Sequence, residues 1–224
     1  MLPLEQPETG QAQQTFELQR VDFLSPEAGG RIGAVSAGNP LWVAAWQLGK
    51  IGAVKSDLWR AWLLRMRGSQ RSFLGRDIAR PFPLAHMGGF GGMTPAGGGA
   101  FDGAASAWSQ AIDADGSAQL TLSGLPSGLQ GSVGDYVGFR WGVGDARRAL
   151  VRLVLPASAN AGGTATFIVE PPVPTLVVPA NAIAHLDRPA CVMKLLPGQS
   201  ELGPIDRRLS VMSGKISAVQ DLRP

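Results

Sequence analysis

The alternation of apolar and polar residues predicts β-strands over much of the chain. The segment TFELQRVD (15–22) alternates, and in LWVAAWQL (41–48) Trp42 and Trp46 fall on one face at a period of two. The positions between them are apolar as well. The pattern in 41–48 therefore predicts a strand that is buried on both sides, or one that is half-buried with its second face in a subunit contact.

One segment, SDLWRAWLLRMRG (56–68), has the spacing of an amphipathic helix. It begins with the capping residues Ser56 and Asp57 and ends at Gly68, a residue type favoured just after a helix. Its apolar residues recur on one side: Leu58, Trp62 and Met66, with Trp59 and Leu63 beside them. Such a stripe is typical of core packing, so we predict a helix that packs on a sheet.

The second half of the chain has the pattern of an antiparallel meander. Three apolar runs are separated by turn-forming residues: 134–141, 149–155 and 163–169. The prolines of PPVPTLVVP (171–179) exclude a central strand, so this segment is predicted to be an edge or a connector. Segments 191–196 and 207–219 are predicted to supply closing strands, with Ser213-Gly214 as a hairpin turn in the latter.

A glycine-dense segment, HMGGFGGMTPAGGGAFDG (86–103), holds eight glycines. A phosphate-binding loop needs a lysine followed by a hydroxyl residue at the start of a helix, and this segment has no lysine. Its hydroxyl residue, Thr94, precedes Pro95, and the βαβ alternation of a dinucleotide site is absent from the sequence pattern. The segment is therefore predicted to be a linker or a long surface loop.

The residue types that perform catalysis or bind metals do not form a recognisable pattern. His86 and His185 are the two histidines, and neither has a further ligand at metal-binding spacing. Cys191 stands in an apolar strand pattern, and no G-x-S-x-G motif occurs. Asp113 to Gly116 is predicted to be a turn and not a calcium loop. We therefore expect no catalytic, cofactor-binding or metal-binding residues, no cofactor and no enzymatic activity.

Composition adds a weak indication of assembly. Charged residues make up 17% of the chain and there are six tryptophans, a balance that suits a surface partly covered by other copies or partners. The net charge of +3 is too small to indicate nucleic acid or an anionic membrane as partner. No signal peptide or membrane-spanning run is apparent, so synthesis in a cytoplasm is expected.

Arginines are concentrated in and after the predicted helix. A basic strip could contact a phosphate backbone, or its members could be solvated and pair with acids of neighbouring subunits. The nearly neutral chain favours the second alternative. The expected subunit-contact residues are Trp42, Trp46, Arg60, Arg65, Arg67, Arg71 and Arg76, and Arg80 extends the strip.

Three segments resemble the distal tail proteins of long-tailed bacteriophages and gene transfer agents. They are GNPLWVAAWQL, SFLGRDIARPFP and LSGLPSGLQGSVGDYVGF, which occur in this order between Gly38 and Phe139. The resemblance implies a virion protein that forms a ring, usually of six copies, and joins the tail tube to the tail-tip hub. Tail tube protein and hub protein would be its partners, and the tail tip its location.

The resemblance also implies a mainly β fold. A β-sandwich or split-barrel ring domain with one flanking helix would comprise residues 15–85 and 176–224. Residues 104–175 would form a second small β-barrel module, OB-like in some relatives, with 86–103 as the linker. The polar residues 1–14 would be a flexible arm that becomes ordered on contact with a partner.

A β module that binds a small ligand or a polymer is the alternative function. Tyr136, Phe139 and Trp141 would then form a platform on which a saccharide or single-stranded nucleic acid stacks. Core packing is the competing role for these residues, because alternation places Phe139 and Trp141 on the same face as Val137.

Overall fold

The chain is mainly β, as predicted from its sequence. The computed structural model describes residues 2–27, 29–206 and 211–222, with about 43% of the residues in strands and 9% in helices. The α-helix, α1, spans Ala53–Met66, and two short 3-10 helices span Leu84–His86 and Val143–Asp145. The strands are β1 Leu4–Glu5, β2 Gln11–Gln19, β3 Asp22–Pro26, β4 Ile32–Ser36, β5 Leu41–Gly52, β6 Phe73–Gly75, β7 Ala107–Ile112, β8 Ala118–Ser123, β9 Gln130–Gly131, β10 Tyr136–Trp141, β11 Arg147–Leu153, β12 Ala157–Ser158, β13 Ala165–Glu170, β14 Ile183–His185, β15 Cys191–Leu195, β16 Glu201–Leu202 and β17 Val211–Gln220.

The described residues divide into two compact units. The first, called the meander unit, contains residues 2–6, 71–193 and 222. The second, called the arm unit, contains residues 7–27, 29–70, 194–206 and 211–221.

The boundaries of these two units differ from the predicted domain boundaries. The resemblance implies one domain of residues 15–85 and 176–224 with 104–175 as an insertion, whereas the meander unit extends continuously from residue 71 to residue 193. Strand pairing explains the difference. β6 pairs antiparallel with β15, and β14 pairs with β10, so both flanks of the predicted insertion belong to the same compact unit.

In the arm unit, β5 lies between β2 and β17 and is antiparallel to both. One face of β5 is buried, and the alternate residues towards its start are half-buried. Of the two sequence alternatives, burial on both sides is therefore wrong for a single chain, and half-burial is what the structure shows. Phe16 of β2 stacks on Trp42 with 5.4 Å between ring centroids, which extends the buried face across the strand pair.

Helix α1 begins three residues before the predicted caps. Its N-cap position is Gly52, and Ser56 is buried inside the first turns, where its Oγ donates to the carbonyl oxygen of Ala53 at 2.9 Å. The helix ends at Met66, and its C-cap is Arg67, which adopts a left-handed conformation with φ of 51°, one residue before the predicted Gly68. Its buried side contains Trp59, Trp62 and Met66, whereas Leu58, predicted to belong to that side, is 50% exposed.

β17 runs without a turn through Ser213-Gly214, so the predicted hairpin turn is wrong. Its register against β5 shifts between Met212 and Gly214, which is the signature of a β-bulge. Strand β16 approaches Gly214 closely: a Cβ there would lie 2.9 Å from the carbonyl oxygen of Glu201. Glycine at position 214 therefore allows β16 and β17 to approach each other closely. The preceding part of the predicted strand, residues 207–210, lies outside the described residues.

The meander unit contains a six-stranded antiparallel sheet in the order β14-β10-β11-β13-β8-β7. The pairs of β10 with β11 and of β11 with β13 confirm the predicted meander. Its core is formed by one face of these strands, including Val137, Phe139 and Phe167. The proline-rich segment 171–179 lies outside the strands, which confirms its prediction as a connector.

The six-stranded sheet approaches closure without becoming a barrel. Its outer strands, β14 and β7, are not paired with each other, and the described residues form no closed barrel. Two backbone hydrogen bonds join the segment before β7 to β14 and to the residue after it: Ala105 donates to Ala184, and Leu186 donates to Gly103, both at 2.8 Å. The expected second small barrel is therefore an open sheet whose edges lie close together.

The glycine-dense segment 86–103 is a packed loop of the meander unit. Phe90 and Phe101 are both 7% exposed, and their rings meet edge to face with 5.0 Å between centroids. A backbone hydrogen bond of 3.0 Å from Phe101 to Met93 holds the loop together. Of the two sequence alternatives, a long loop describes this segment better than a linker, because the segment lies within one compact unit.

The N-terminal residues also have partners. β1 pairs in parallel with β6, with Leu4 opposite Phe73, and the start of β2 pairs with β5. Residues 4–5 and 11–14 of the expected flexible arm are therefore in strands within the chain, and Met1 lies outside the described residues.

Candidate functional site

The two tryptophans that we expected to contact another subunit are inside the arm unit. Trp42 is 1% exposed and Trp46 is 0% exposed. Phe16 packs against both rings. Burial within one chain accounts for these side chains without a second copy.

The helix arginines differ in their surroundings. Arg60 is half-buried and donates from Nη2 to the carbonyl oxygen of Gly203 at 3.2 Å. Arg65 and Arg67 are exposed at the C-terminal end of α1. These two cations are available to a partner, and they lie at the helix end where positive charge is electrostatically favourable.

The arginines that follow α1 belong to the meander unit. Arg71 is half-buried. Arg76 forms a 2.9 Å ion pair with Glu5, and Arg80 lies 3.5 Å from Oδ1 of Asp135. Arg76 and Arg80 therefore have carboxylate partners inside the chain, so the expectation that they pair with acids of a neighbouring subunit is not needed to explain them.

Two sequence motifs meet in a buried polar cluster. Asp77, from SFLGRD, accepts a hydrogen bond from the hydroxyl of Tyr136, from GDYVGF, at 3.1 Å. Its other carboxylate oxygen accepts from the backbone amide of Ala79 at 2.7 Å. The guanidinium of Arg152 lies 5.5 Å from the centre of the Tyr136 ring, within the range of a cation–π contact.

Asp135, beside Tyr136, links a second pair of segments. Its side chain is fully buried, and it accepts hydrogen bonds from the backbone amides of Leu84 at 2.9 Å and Ser132 at 2.7 Å. Arg80 supplies the nearby positive charge. A buried carboxylate is tolerated because hydrogen bonds and a cation replace its hydration.

These contacts give the cluster a structural role. The carboxylate oxygens of Asp77 and Asp135 are occupied by backbone amides, a phenol and a guanidinium. The cluster fixes the segment 77–84 against the start of β10.

A second polar group lies on the face of β10 and β11 opposite the core. Arg140 and Arg148 are directly opposed across the two strands, an arrangement of like charges that destabilises a sheet unless it is compensated. Asp145 lies 3.6 Å from Arg140 and supplies part of the compensation. Burial lowers the pKa of Arg148, and the negative charge of Asp145 opposes this effect.

His185, on β14, is 5% exposed and lies beside these arginines. Burial, together with the charges of Arg148 and Arg140, lowers the pKa of His185 to about 4, while hydrogen bonds to the backbone of Ile183 and Gly138 oppose the shift. The ring lies directly over Gly138, where a Cβ would be 2.6 Å from Cε1. The imidazole is therefore neutral near pH 7, and its ring packs against Gly138.

Other reactive groups are also part of the structure. Cys191 is fully buried, and burial raises the pKa of its thiol. His86 accepts a hydrogen bond from the amide of Gln130 at 3.2 Å, and Asp113 accepts from the amide of Ser117 in the predicted turn between β7 and β8. Within residues 2–27, 29–206 and 211–222, no group of three or more His, Cys, Asp or Glu side chains could hold a metal ion.

An open cavity of about 480 Å³ lies in the arm unit where β5 joins α1. Its lining includes Gly10, Gly49, Lys50, Ile51 and Lys55. Neither an acidic residue nor a histidine is among the residues that line it.

The aromatic residues of the alternative binding function are buried. Tyr136 is 3%, Phe139 0% and Trp141 8% exposed. Phe139 and Trp141 join Val137 in the core cluster, as the alternation predicted. A stacking platform needs exposed rings, so these residues do not provide one.

A hairpin in the arm unit exposes several large apolar side chains. β3 and β4 pair only with each other among the described strands and continue the β2–β5 pair beyond Gln19 and Leu41. We call β3 and β4 the hairpin arm. Every described residue of both strands is exposed or half-buried. Its large apolar side chains are Phe23, Leu24, Ile32 and Val35, between 66% and 69% exposed, with Val21 at its base 59% exposed.

Both faces of the hairpin arm are apolar. Phe23 lies opposite Val35, and Leu24 lies opposite Ala34, so the two pairs point to opposite sides of the ribbon. A two-stranded hairpin is marginally stable alone in water. Apolar side chains that stay exposed on both faces contribute no free energy of burial to its stability. The arm has the properties of a surface that another molecule covers.

This hairpin is not among the elements predicted from the sequence. Two apolar runs, VDFLSP and RIGAVS, flank the glycine pair Gly29-Gly30, and this pattern is a hairpin signal. The strand predicted at 15–22 crosses the boundary between β2, which ends at Gln19, and β3, which begins at Asp22.

Protein-family models and curated protein sequences yield no match to this chain. In the described residues, no helix combines the length and the apolar character that crossing a membrane requires.

Proposed function

We propose that this protein is a structural subunit that assembles with copies of itself into a ring. The observation that carries the proposal is the hairpin arm, which exposes apolar side chains on both faces and is not covered by any element of the described part of the chain. Burial of such side chains stabilises an assembly by about 25 cal/mol per Å² of apolar surface. Contact with another copy therefore removes the cost of exposing the arm.

The ring is that of a distal tail protein-like component of a long-tailed phage or gene transfer agent. It links the tail tube to the tail-tip hub, is found in the virion, and contains six copies. Support comes from the resemblance of GNPLWVAAWQL, SFLGRDIARPFP and LSGLPSGLQGSVGDYVGF to that group. The mainly β fold with one helix is compatible with it.

The side-chain chemistry supports an assembly role over an enzymatic one. The buried carboxylates Asp77 and Asp135 hold loops in place, and Cys191 is enclosed in the core. The functional surface is then an apolar one, which suits permanent contacts between subunits.

Mass spectrometry of purified particles tests the location. The account expects the protein in particles at a stoichiometry equal to that of other tail-tip ring components, and labelling of its exposed Leu176 loop should mark the tail tip in electron micrographs. Absence of the protein from intact particles would contradict the proposed location.

A further inference from the structure

Two arginines lie side by side on the face of the six-stranded sheet that is opposite the core. Arg140 of β10 is paired with Arg148 of β11, and the adjacent residues Phe139 and Ala149 belong to the core. Directly opposed residues of paired strands have Cβ atoms about 5 Å apart, so both guanidinium groups can reach one small ligand. We call Arg140 and Arg148 the arginine pair.

The arginine pair is half-buried, and its hydrogen bonding is incomplete. The Nε atoms of Arg140 and Arg148 are both shielded from solvent, and among the described residues neither atom has a hydrogen-bond partner. A charged group that loses hydration without gaining hydrogen bonds is destabilised. The pair therefore carries positive charge that hydrogen bonds within the described part of the chain compensate only in part.

The charged groups around the arginine pair do not balance. Burial lowers the pKa of Arg148; the carboxylates of Asp145 and Glu5 oppose this shift, whereas the guanidinium groups of Arg140 and Arg76 add to it. Glu5 forms a 2.9 Å ion pair with Arg76, and Asp145 lies 3.6 Å from Nε of Arg140, beyond hydrogen-bond distance. Three guanidinium groups therefore share two carboxylates, and one positive charge is left over among them.

The neighbours of the arginine pair shield it without neutralising it. Burial, and then the charges of Arg148 and Arg140, lower the pKa of His185 to about 4, so the adjacent imidazole is neutral near pH 7. The N-terminal segment lies beside the turn after β10, since a Cβ at Gly144 would be 3.0 Å from Cδ2 of Leu2. Electrostatic attraction is stronger where water is partly excluded, which favours a bound anion at the pair.

We propose that the arginine pair binds an oxyanion, a phosphate or carboxylate group whose oxygen atoms accept hydrogen bonds from both guanidinium groups. The planar fork of N–H donors in arginine matches such groups and does not match a spherical ion such as chloride. One bound oxyanion supplies both the acceptors and the negative charge that Arg140 and Arg148 lack. The site does not depend on the proposed ring, because all of its residues belong to the meander unit.

Titration with inorganic phosphate and with acetate tests the site. Isothermal titration calorimetry measures both affinities at constant ionic strength, with chloride as the balancing ion. Arg140→Gln and Arg148→Gln each remove one guanidinium group of the pair. Arg147→Gln is the matched control, because Arg147 is exposed and alternation on β11 directs it to the other face of the sheet. Urea denaturation in chloride identifies any variant that does not fold, and Arg148→Lys, which keeps the charge and loses the planar fork, then takes its place.

The wild-type protein should bind at least one of the two anions, and each substitution in the pair should weaken this binding about tenfold, because a hydrogen bond to a charged group is lost. Arg147→Gln should change the affinity by less than about twofold, since the charge it removes is exposed and screened. Tighter binding of phosphate identifies a phosphate group as the ligand, and tighter binding of acetate identifies a carboxylate. Absence of binding to the wild-type protein, or equal affinities in the wild type and the pair variants, would overturn the proposal.

Discussion

The hydroxyl of Tyr136 donates a hydrogen bond to Oδ2 of Asp77 at 3.1 Å, and thereby joins residues that are 59 positions apart in the sequence. Both groups are buried, so the bond replaces hydration that the carboxylate loses on folding. Neither motif shows this contact by itself, because the distance between them depends on the tertiary fold.

Replacement of Tyr136 by Phe removes this hydrogen bond and keeps the ring. We expect the free energy of unfolding to fall by about 1–3 kcal/mol, because a buried carboxylate oxygen loses a donor. Urea denaturation measures the change. Thr166→Val, which removes the exposed 2.9 Å contact with the Thr121 hydroxyl, is the matched control and should cost less than about 0.5 kcal/mol. Equal losses in the two variants would contradict the role of the cluster.

Gly138 has no space for a side chain. A Cβ would lie 2.6 Å from Cε1 of His185 and 3.2 Å from the backbone Cα of Pro189. We expect Gly138→Ala to lower the free energy of unfolding by about 1–3 kcal/mol through overpacking. Gly91→Ala is the control, since a Cβ there meets no atom within 4 Å. Thermal denaturation that shows the same melting temperature for both variants would contradict the predicted contact.

Burial of neutral His185 predicts that acid destabilises the protein. The folded pKa of about 4 lies below the ordinary value of 6.5, so the unfolded chain takes up the proton first as the pH falls. The contribution of neutral His185 to the free energy of unfolding is complete above pH 6.5. It is lost between pH 6.5 and 4, and the total loss is on the order of 3 kcal/mol.

Urea denaturation across this pH range compares the wild-type protein with His185→Gln, which does not titrate. The variant should lose less stability than the wild type between pH 6.5 and 4. Arg148 and Arg140 face the ring and stay charged over this range, so their effect is constant. The same pH dependence in both proteins would contradict a buried neutral imidazole.

The fully buried thiol of Cys191 should react only after unfolding. Burial raises the pKa of Cys191 and so suppresses the thiolate that attacks disulfide reagents. We expect a thiol reagent to label the native protein at least a hundredfold more slowly than the urea-unfolded protein. Rapid labelling of the native protein would contradict this burial.

The periodicity of the sequence predicted the strands of the meander and the presence of the helix, because burial on one face dictates both patterns. It did not predict the start of α1: Ser56, which has the properties of a cap residue, instead bonds within the helix to Ala53. The periodicity also did not predict which side of α1 is exposed. Leu58 and Trp62 are both apolar, and only packing distinguishes the exposed residue from the buried one.

The polar cluster was beyond sequence reasoning for another reason. Asp77 and Tyr136 lie in separate motifs, and their contact requires the segment after β6 to lie against β10. The hairpin arm could have been predicted from the apolar runs on either side of Gly29-Gly30. Its exposure could not, because β-strand patterns with apolar residues on both faces are equally typical of buried strands.

The mass of the protein in solution tests the central claim most directly. Native mass spectrometry and light scattering should show one closed oligomer of the wild type, six copies on the proposed model, without a ladder of larger species. Phe23→Ser with Leu24→Ser in the arm should shift the protein to monomers, whereas Leu176→Ser, at a residue 99% exposed outside the arm, should leave the oligomer intact. A wild-type protein that stays monomeric at high concentration, with a mass that none of these substitutions changes, would contradict the account.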